Sequence, residues 1–159
     1  MNDLIPACLV IVTPVYEDVE ASCMLFKELR KELGPQIYIV AVDDGSVQQP
    51  LNIESMRTAN VDGVVIKLKR NVGHQRAIAI GLNYVADKLP NAMQVVIMDS
   101  DGEDLPATIP NMLIRLSSSE VDIVVAQRKS RVETLRFRAF YKVYKWLFKI
   151  LSGRSISFG

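Results

Sequence analysis

Four carboxylates fall within six consecutive positions, Asp99, Asp101, Glu103 and Asp104, directly after the apolar run Val95-Val96-Ile97-Met98. At the end of a buried strand their ionised forms repel one another and lose solvent. A divalent cation removes that conflict. Asp99 and Asp101 are two apart, so in extended backbone they share a face, and a turn at Gly102 lets Glu103 swing toward the same point. Oxygen-only ligands suit Mg²⁺ or Mn²⁺ and argue against zinc. Such a cation could bridge two phosphates of a nucleoside diphosphate and offset the charge that grows as it leaves. The competing explanation is an acidic turn that caps the helix beginning near Leu105, a role that Asp104 alone fits well.

Two further groups of residues have chemistry compatible with such a ligand. Asp43-Asp44-Gly45-Ser46 follows an apolar run; a carboxylate there can accept from a base N–H or a ribose hydroxyl, although Asp-Gly also favours a plain surface turn. Tyr16 could stack on a base or sugar, or be a partly buried tyrosine with a satisfied hydroxyl. Lys69, Arg70 and Arg76 flank Asn71-Val72-Gly73-His74-Gln75. There a glycine opens a helix whose free N–H groups make a weak anion site, and Arg70 would add charge-assisted bonds to phosphate. His74, the only histidine, could touch a ligand, but a structural bond at the helix N-terminus is the preferred expectation.

The elements that must position these side chains alternate along the chain. Strands are expected over residues 7–12, 36–42, 64–68, 94–98 and 122–127. Helices are expected over 19–33, 51–59, 73–89, 105–118 and 132–151, with Gly34-Pro35 closing the first and Pro90 the third. This order predicts an α/β fold with a mostly parallel sheet and helices on both faces. In such sheets the ligand sits beyond the carboxyl ends of the strands, where Tyr16, Asp44, Arg70 and the 99–104 cluster all fall.

At 159 residues, 49% hydrophobic and 23% charged, the chain has the composition of one ordinary globular domain rather than a disordered segment. Cys8 and Cys23 have no metal-ligand spacing and are expected as buried free thiols of a reducing compartment. Asp3 and Pro6 interrupt the N-terminus, and no run of 18 apolar residues exists, so neither a signal peptide nor a spanning helix is expected. Charge is unevenly placed: between Arg128 and Arg154 nine Lys/Arg face one acid, Glu133, while the rest of the chain carries ten basic and seventeen acidic residues. A basic tail on an acidic body implies an anionic partner.

Taken in order, TPVYED at 13–18, VDDGS at 42–46, KRNVGHQRAIAIGL at 69–82 and MDSDGED at 98–104 resemble the N-terminal half of family 2 glycosyltransferases. The branch most similar is that of polyprenol-phosphate (dolichyl- or undecaprenyl-phosphate) mannosyl- and glucosyltransferases, and the resemblance covers about residues 8–128. It implies a GT-A (Rossmann-like) fold and an inverting transfer of sugar from a nucleoside-diphosphate donor. It also implies nucleotide-sugar contacts at Pro14, Tyr16, Asp18, Asp43, Asp44, Arg70, Gly73, Asp99 and Ser100, with a metal held by Asp99, Asp101 and Glu103. Asp18 replaces the family's usual acid, and Glu103 stands where that branch often has glutamine. Residues 1–130 would form the nucleotide-sugar domain, and 131–159 a basic amphipathic helix and the start of an acceptor region. Family members continue for a hundred residues or more, so the general base is expected beyond Gly159 and the C-terminal acceptor part is expected to be missing.

Lys142, Lys145 and Lys149 line one helical face and Phe140, Val143, Leu147 and Leu151 another. That pattern suits a helix lying on a membrane surface, and a lipid-phosphate or glycan acceptor; it equally suits a helix packed on further protein. No nucleic-acid motif accompanies the charge. The expected location is cytoplasmic, peripheral at the inner face of the membrane. Two other classes share part of the pattern. A haloacid-dehalogenase-like phosphatase also has a strand followed by D-x-D-G, with a nucleophilic first aspartate. A receiver-like Mg²⁺-binding signalling module would use Asp43, Asp44 and Asp99.

Overall fold

The computed structural model describes residues 9–127. In chain order these form β1 (Leu9–Val15), α1 (Val19–Leu33), β2 (Ile37–Asp43), α2 (Ile53–Thr58), β3 (Asp62–Lys67), α3 (His74–Lys88), β4 (Gln94–Ile97), a 3-10 turn (Pro106–Thr108) and α4 (Ile109–Ser118). The strands are all parallel and lie in the order β3-β2-β1-β4, as the alternation of apolar and helical stretches predicts. The chain divides into two compact units, Met1–Asp122 and Ile123–Gly159, and every element named lies in the first. The amphipathic helix expected over 132–151 and Cys8 lie outside the described residues.

β1 and β2 are buried along their whole length, which is why both read as near-continuous apolar runs rather than alternating ones. Their register separates two cores. Ile11, Val15, Ile39 and Ala41 pack with Leu25, Phe26 and Leu29 of α1 and Met56 of α2. Val10, Val12, Tyr38 and Val40 pack on the other face with Val85 and Leu89 at the end of α3. Full burial of a side chain such as Phe26 or Leu29 stabilises by about 1.5–3 kcal/mol. Helix α1 starts where the Asp18 carboxylate accepts from the Ala21 amide at 3.1 Å and stops at Gly34, whose φ is +79°. Cys23 on α1 is free and half-buried.

Two boundaries differ from expectation. β1 runs on through Thr13-Pro14-Val15, pairing with Ala41, Val42 and Asp43. A proline usually ends a central strand because it lacks a donor. Here β4 pairs with β1 only as far as Val12, so on that side nothing awaits a Pro14 N–H, and the Pro14 carbonyl instead accepts from Ser100 Oγ at 3.0 Å. The strand expected over 122–127 is not found: residues 121–127 carry no helix or strand, and Ile123 and Val125 are exposed. β-Branched residues make a strand only where a neighbour completes the ladder, and this run has none among the described residues.

Candidate functional site

The carboxyl ends of β1, β2 and β4 open into a cavity of about 240 Å³ lined by Pro14, Val15, Tyr16, Asp44, Asn71, His74, Asp99, Ser100 and Asp101. Ligand pockets commonly run from about 300 to 1,000 Å³, so this cleft accommodates part of a larger ligand. Tyr16 stands at its wall with 54% of its surface exposed, a posture that leaves the ring face available for stacking.

Asp44 is buried, and its two oxygens accept from successive backbone amides, Val72 at 2.7 Å and Gly73 at 3.0 Å. The end of β2 is thereby tied to the segment that starts α3. Gly45 makes the approach possible: it has φ +77°, and a methyl group there would lie 2.6 Å from the Asn71 nitrogen. Asn71 Oδ1 accepts from the Gly73 amide at 3.0 Å, completing the turn that delivers His74. The imidazole Nε2 of His74 then lies 3.3 Å from Asp99 Oδ1. Asp101 Oδ1 accepts from the Glu103 amide at 2.9 Å around Gly102.

Of the residues expected to contact a nucleotide sugar, Pro14, Tyr16, Asp44, Asp99 and Ser100 line the cavity, as does Asp101 of the metal set. The others are placed elsewhere. Asp18 caps α1. Asp43 is buried and holds the loop after β2, accepting from Ser46 N and Leu51 N, both at 2.9 Å. Gly73 caps α3. Arg70 and Glu103 are exposed beside the cleft rather than in its wall. Among the described residues no three His, Cys, Asp or Glu side chains converge as a metal cage. A Mg²⁺-type ion does not require one, since it is commonly held by one or two carboxylates plus substrate phosphates, and Asp99 with Asp101 in one cavity wall fits that pattern.

Val15, Asn71 and His74 complete the wall beyond the expected set. Asn71 and His74 carried a signal, since they flank the glycine that opens α3; Val15 carried none. Glu17 also went unread. Its carboxylate accepts from the amides of Val47, Gln48 and Gln49. The bonds from Val47 and Gln49 hold its pKa below the usual carboxylate value; burial opposes them, and the bond from Gln48 adds a lesser lowering. Tyr38, remote from the cleft, is shifted upward by burial and by its neighbour Tyr84.

Residues 10–155 match the family Glycosyl transferase family 2. The chain belongs to glycosyl transferase family 2. This membership displaces the phosphatase and receiver alternatives. Among its curated relatives, undecaprenyl-phosphate 4-deoxy-4-formamido-L-arabinose transferase of Edwardsiella ictaluri is 28% identical over 92% of this chain and 45% of its own length. Dodecaprenyl-phosphate galacturonate synthase of Rhizobium johnstonii is 30% identical over 90% of this chain and 38% of its own length. The chain therefore spans less than half the length of these relatives. The crystal structure of S. aureus TarS 1–349 in complex with UDP-GlcNAc superimposes with a TM-score of 0.50 at 19% identity, covering 79% of this chain and 38% of that one. That likeness establishes the shared GT-A-type fold of this family 2 chain. No helix among the described residues is long and apolar enough to cross a membrane.

Proposed function

We propose that this family 2 chain is the donor-binding part of an inverting, metal-dependent glycosyltransferase that moves a sugar from a nucleoside-diphosphate sugar to a polyprenyl-phosphate carrier. One observation carries the donor side of this reading: Tyr16, Asp44, Asp99 and Asp101, from three strand ends, line one cleft. Tyr16 offers a face for the base or ribose. Asp44 holds the α3 start and presents an acceptor edge to the ligand. Asp99 and Asp101 put negative charge where an anionic diphosphate would sit, which only a cation can reconcile. Mg²⁺ or Mn²⁺ bound there would offset charge on the departing diphosphate.

The acceptor side rests on different support. The relatives above are named for undecaprenyl- and dodecaprenyl-phosphate, and the basic stretch from Arg128 to Arg154 suits a lipid phosphate and the anionic cytoplasmic leaflet. On this reading residues 1–130 bind the donor, and 131–159 meet the cytoplasmic membrane surface peripherally.

A thermal-shift panel of UDP, GDP, CDP and dTDP, each with and without Mn²⁺, tests the proposal. A ligand that binds only the folded chain raises its stability by mass action. One diphosphate should stabilise the chain in a metal-dependent manner. Asp101→Ala should remove the metal dependence and leave the unliganded melting temperature near wild type, because Asp101 is exposed. Silence toward all four nucleotides with Mn²⁺ present would sink the proposal.

A further inference from the structure

Glu17 sits between Tyr16, which lines the cleft, and Asp18, which starts α1. Its backbone is left-handed, φ +52°, one of two such non-glycine residues among those described. For a residue other than glycine this conformation is disfavoured and persists only where surrounding contacts impose it. The Glu17 amide donates to Ser46 Oγ at 2.9 Å. Its Oε1 accepts from Val47 N at 2.6 Å and Gln48 N at 3.2 Å, and its Oε2 from Gln48 N at 3.0 Å and Gln49 N at 2.7 Å. Three consecutive amides thus converge on one anion, as they do in backbone nests. Ser46 is itself held through its amide by Asp43 Oδ1.

From this geometry, and resting on the donor-binding reading above, we infer that Glu17 is a positioning residue for nucleotide binding. It latches the loop after β2 to the end of β1 and thereby sets the pose of Tyr16 at the cleft wall. The latch spans some thirty residues of sequence and joins the two strand ends that supply Tyr16 and Asp44. Glu17 need not touch the ligand: releasing it frees residue 17 to return to a negative φ, which rotates the chain at Tyr16 and loosens the turn after Asp44.

The test uses the 159-residue chain as wild type, Glu17→Gln and Glu17→Gly, with calorimetric titration of UDP, GDP, CDP and dTDP in MnCl₂. Glutamine keeps the length but turns an amide group toward donors that need an acceptor; glycine adopts positive φ freely yet carries no carboxylate. Both variants should weaken the nucleotide that binds wild type by about tenfold, the scale of one charge-assisted contact, with amide exchange at Val47–Gln49 accelerated. Unliganded melting temperatures should fall by no more than a few degrees, since Glu17 is half-buried at the surface and its loss leaves both cores intact. In a Tyr16→Ala background the effect of Glu17→Gln should shrink to a minor part, because most of it acts through the same ring. Unchanged affinity in both variants, with or without a fall in melting temperature, overturns the assignment, as does an undiminished effect in the Tyr16→Ala background. A wild type that ignores every nucleotide overturns the donor-binding reading itself, and this inference with it.

Discussion

His74 and Asp99 reach each other across the cleft: the first residue of α3 places its Nε2 3.3 Å from Oδ1 of the first residue of the acidic cluster beyond β4. A carboxylate oxygen can only accept, so the two groups attract when Nε2 presents a hydrogen toward it. The contact brings the imidazole edge and the carboxylate together at one side of the cleft. A histidine expected to be structural therefore also borders the cleft.

Removing that donor should weaken ligand binding rather than the fold. Both side chains are partly exposed, 47% and 40%, so the contact contributes modestly. His74→Ala should weaken the metal-dependent nucleotide affinity roughly threefold to tenfold, the scale of one hydrogen bond. His74→Gln, which retains an N–H donor, should recover most of the loss. Calorimetric titration of the stabilising nucleotide with Mn²⁺ measures both. Equal affinities for wild type and His74→Ala would show that the contact does not serve the ligand.

Asp44 offers a test on stability. Its carboxylate is buried, and each oxygen takes one amide, from Val72 and Gly73. Asp44→Ala strands both donors and should cost about 2–4 kcal/mol, a fall of roughly 5–15 °C in melting temperature for a chain of this size. Asp44→Asn keeps one acceptor and should lose about half as much. Calorimetric melting of the three proteins decides it; a near-wild-type Asp44→Ala would mean that the segment before α3 is held by other contacts.

Much of this arrangement is legible in the sequence where a side chain signals its own role. Asp99 and Asp101 follow an apolar strand, and Asp44 follows another; Asp18, expected at the nucleotide, instead caps α1. What stayed hidden depends on backbone partners. Glu17 and Asp18 are adjacent acids, and nothing in their types shows which one turns back to Val47, Gln48 and Gln49, because an amide N–H leaves no mark on residue identity. Pro14 misled for a related reason: whether a proline fits a strand depends on whether the neighbouring strand is still present beside it. The run at 122–127 has strand-forming residues but lacks a described neighbour to complete a ladder.

Gly45 and Gly73 separate strain from collision. Both have positive φ, +77° and +95°, but a methyl group at Gly45 meets the backbone of Arg70 and Asn71, whereas at Gly73 nothing lies within 4 Å. Gly73, at φ +95° and ψ 144°, lies close to a region reserved for glycine, so Gly73→Ala should cost only the conformational term, about 1–3 kcal/mol. Gly45→Ala adds displacement of the segment that Asp44 holds, so it should cost more than that and also weaken nucleotide binding. Chemical denaturation of the two variants gives the comparison. Equal losses would show that the approach of the β2 end to Asn71 yields easily.

The Glu17 latch also predicts a pH dependence with a definite sign. Hydrogen bonds from Val47, Gln49 and Gln48 lower the pKa of Glu17 in the folded chain. A depressed folded-state pKa means that the unfolded chain binds the proton more readily, so the contribution to stability is present above the unfolded value, about 4.3. It is lost as pH falls through the lower folded value. The difference in melting temperature between wild type and Glu17→Gln should therefore be constant from neutral pH down to about pH 5 and shrink below it. Because the carboxylate lies half-buried at the surface, added salt should reduce the difference further. A gap that stays constant down to pH 3, or that widens on acidification, would show that the three amides do not stabilise the charged form of this side chain.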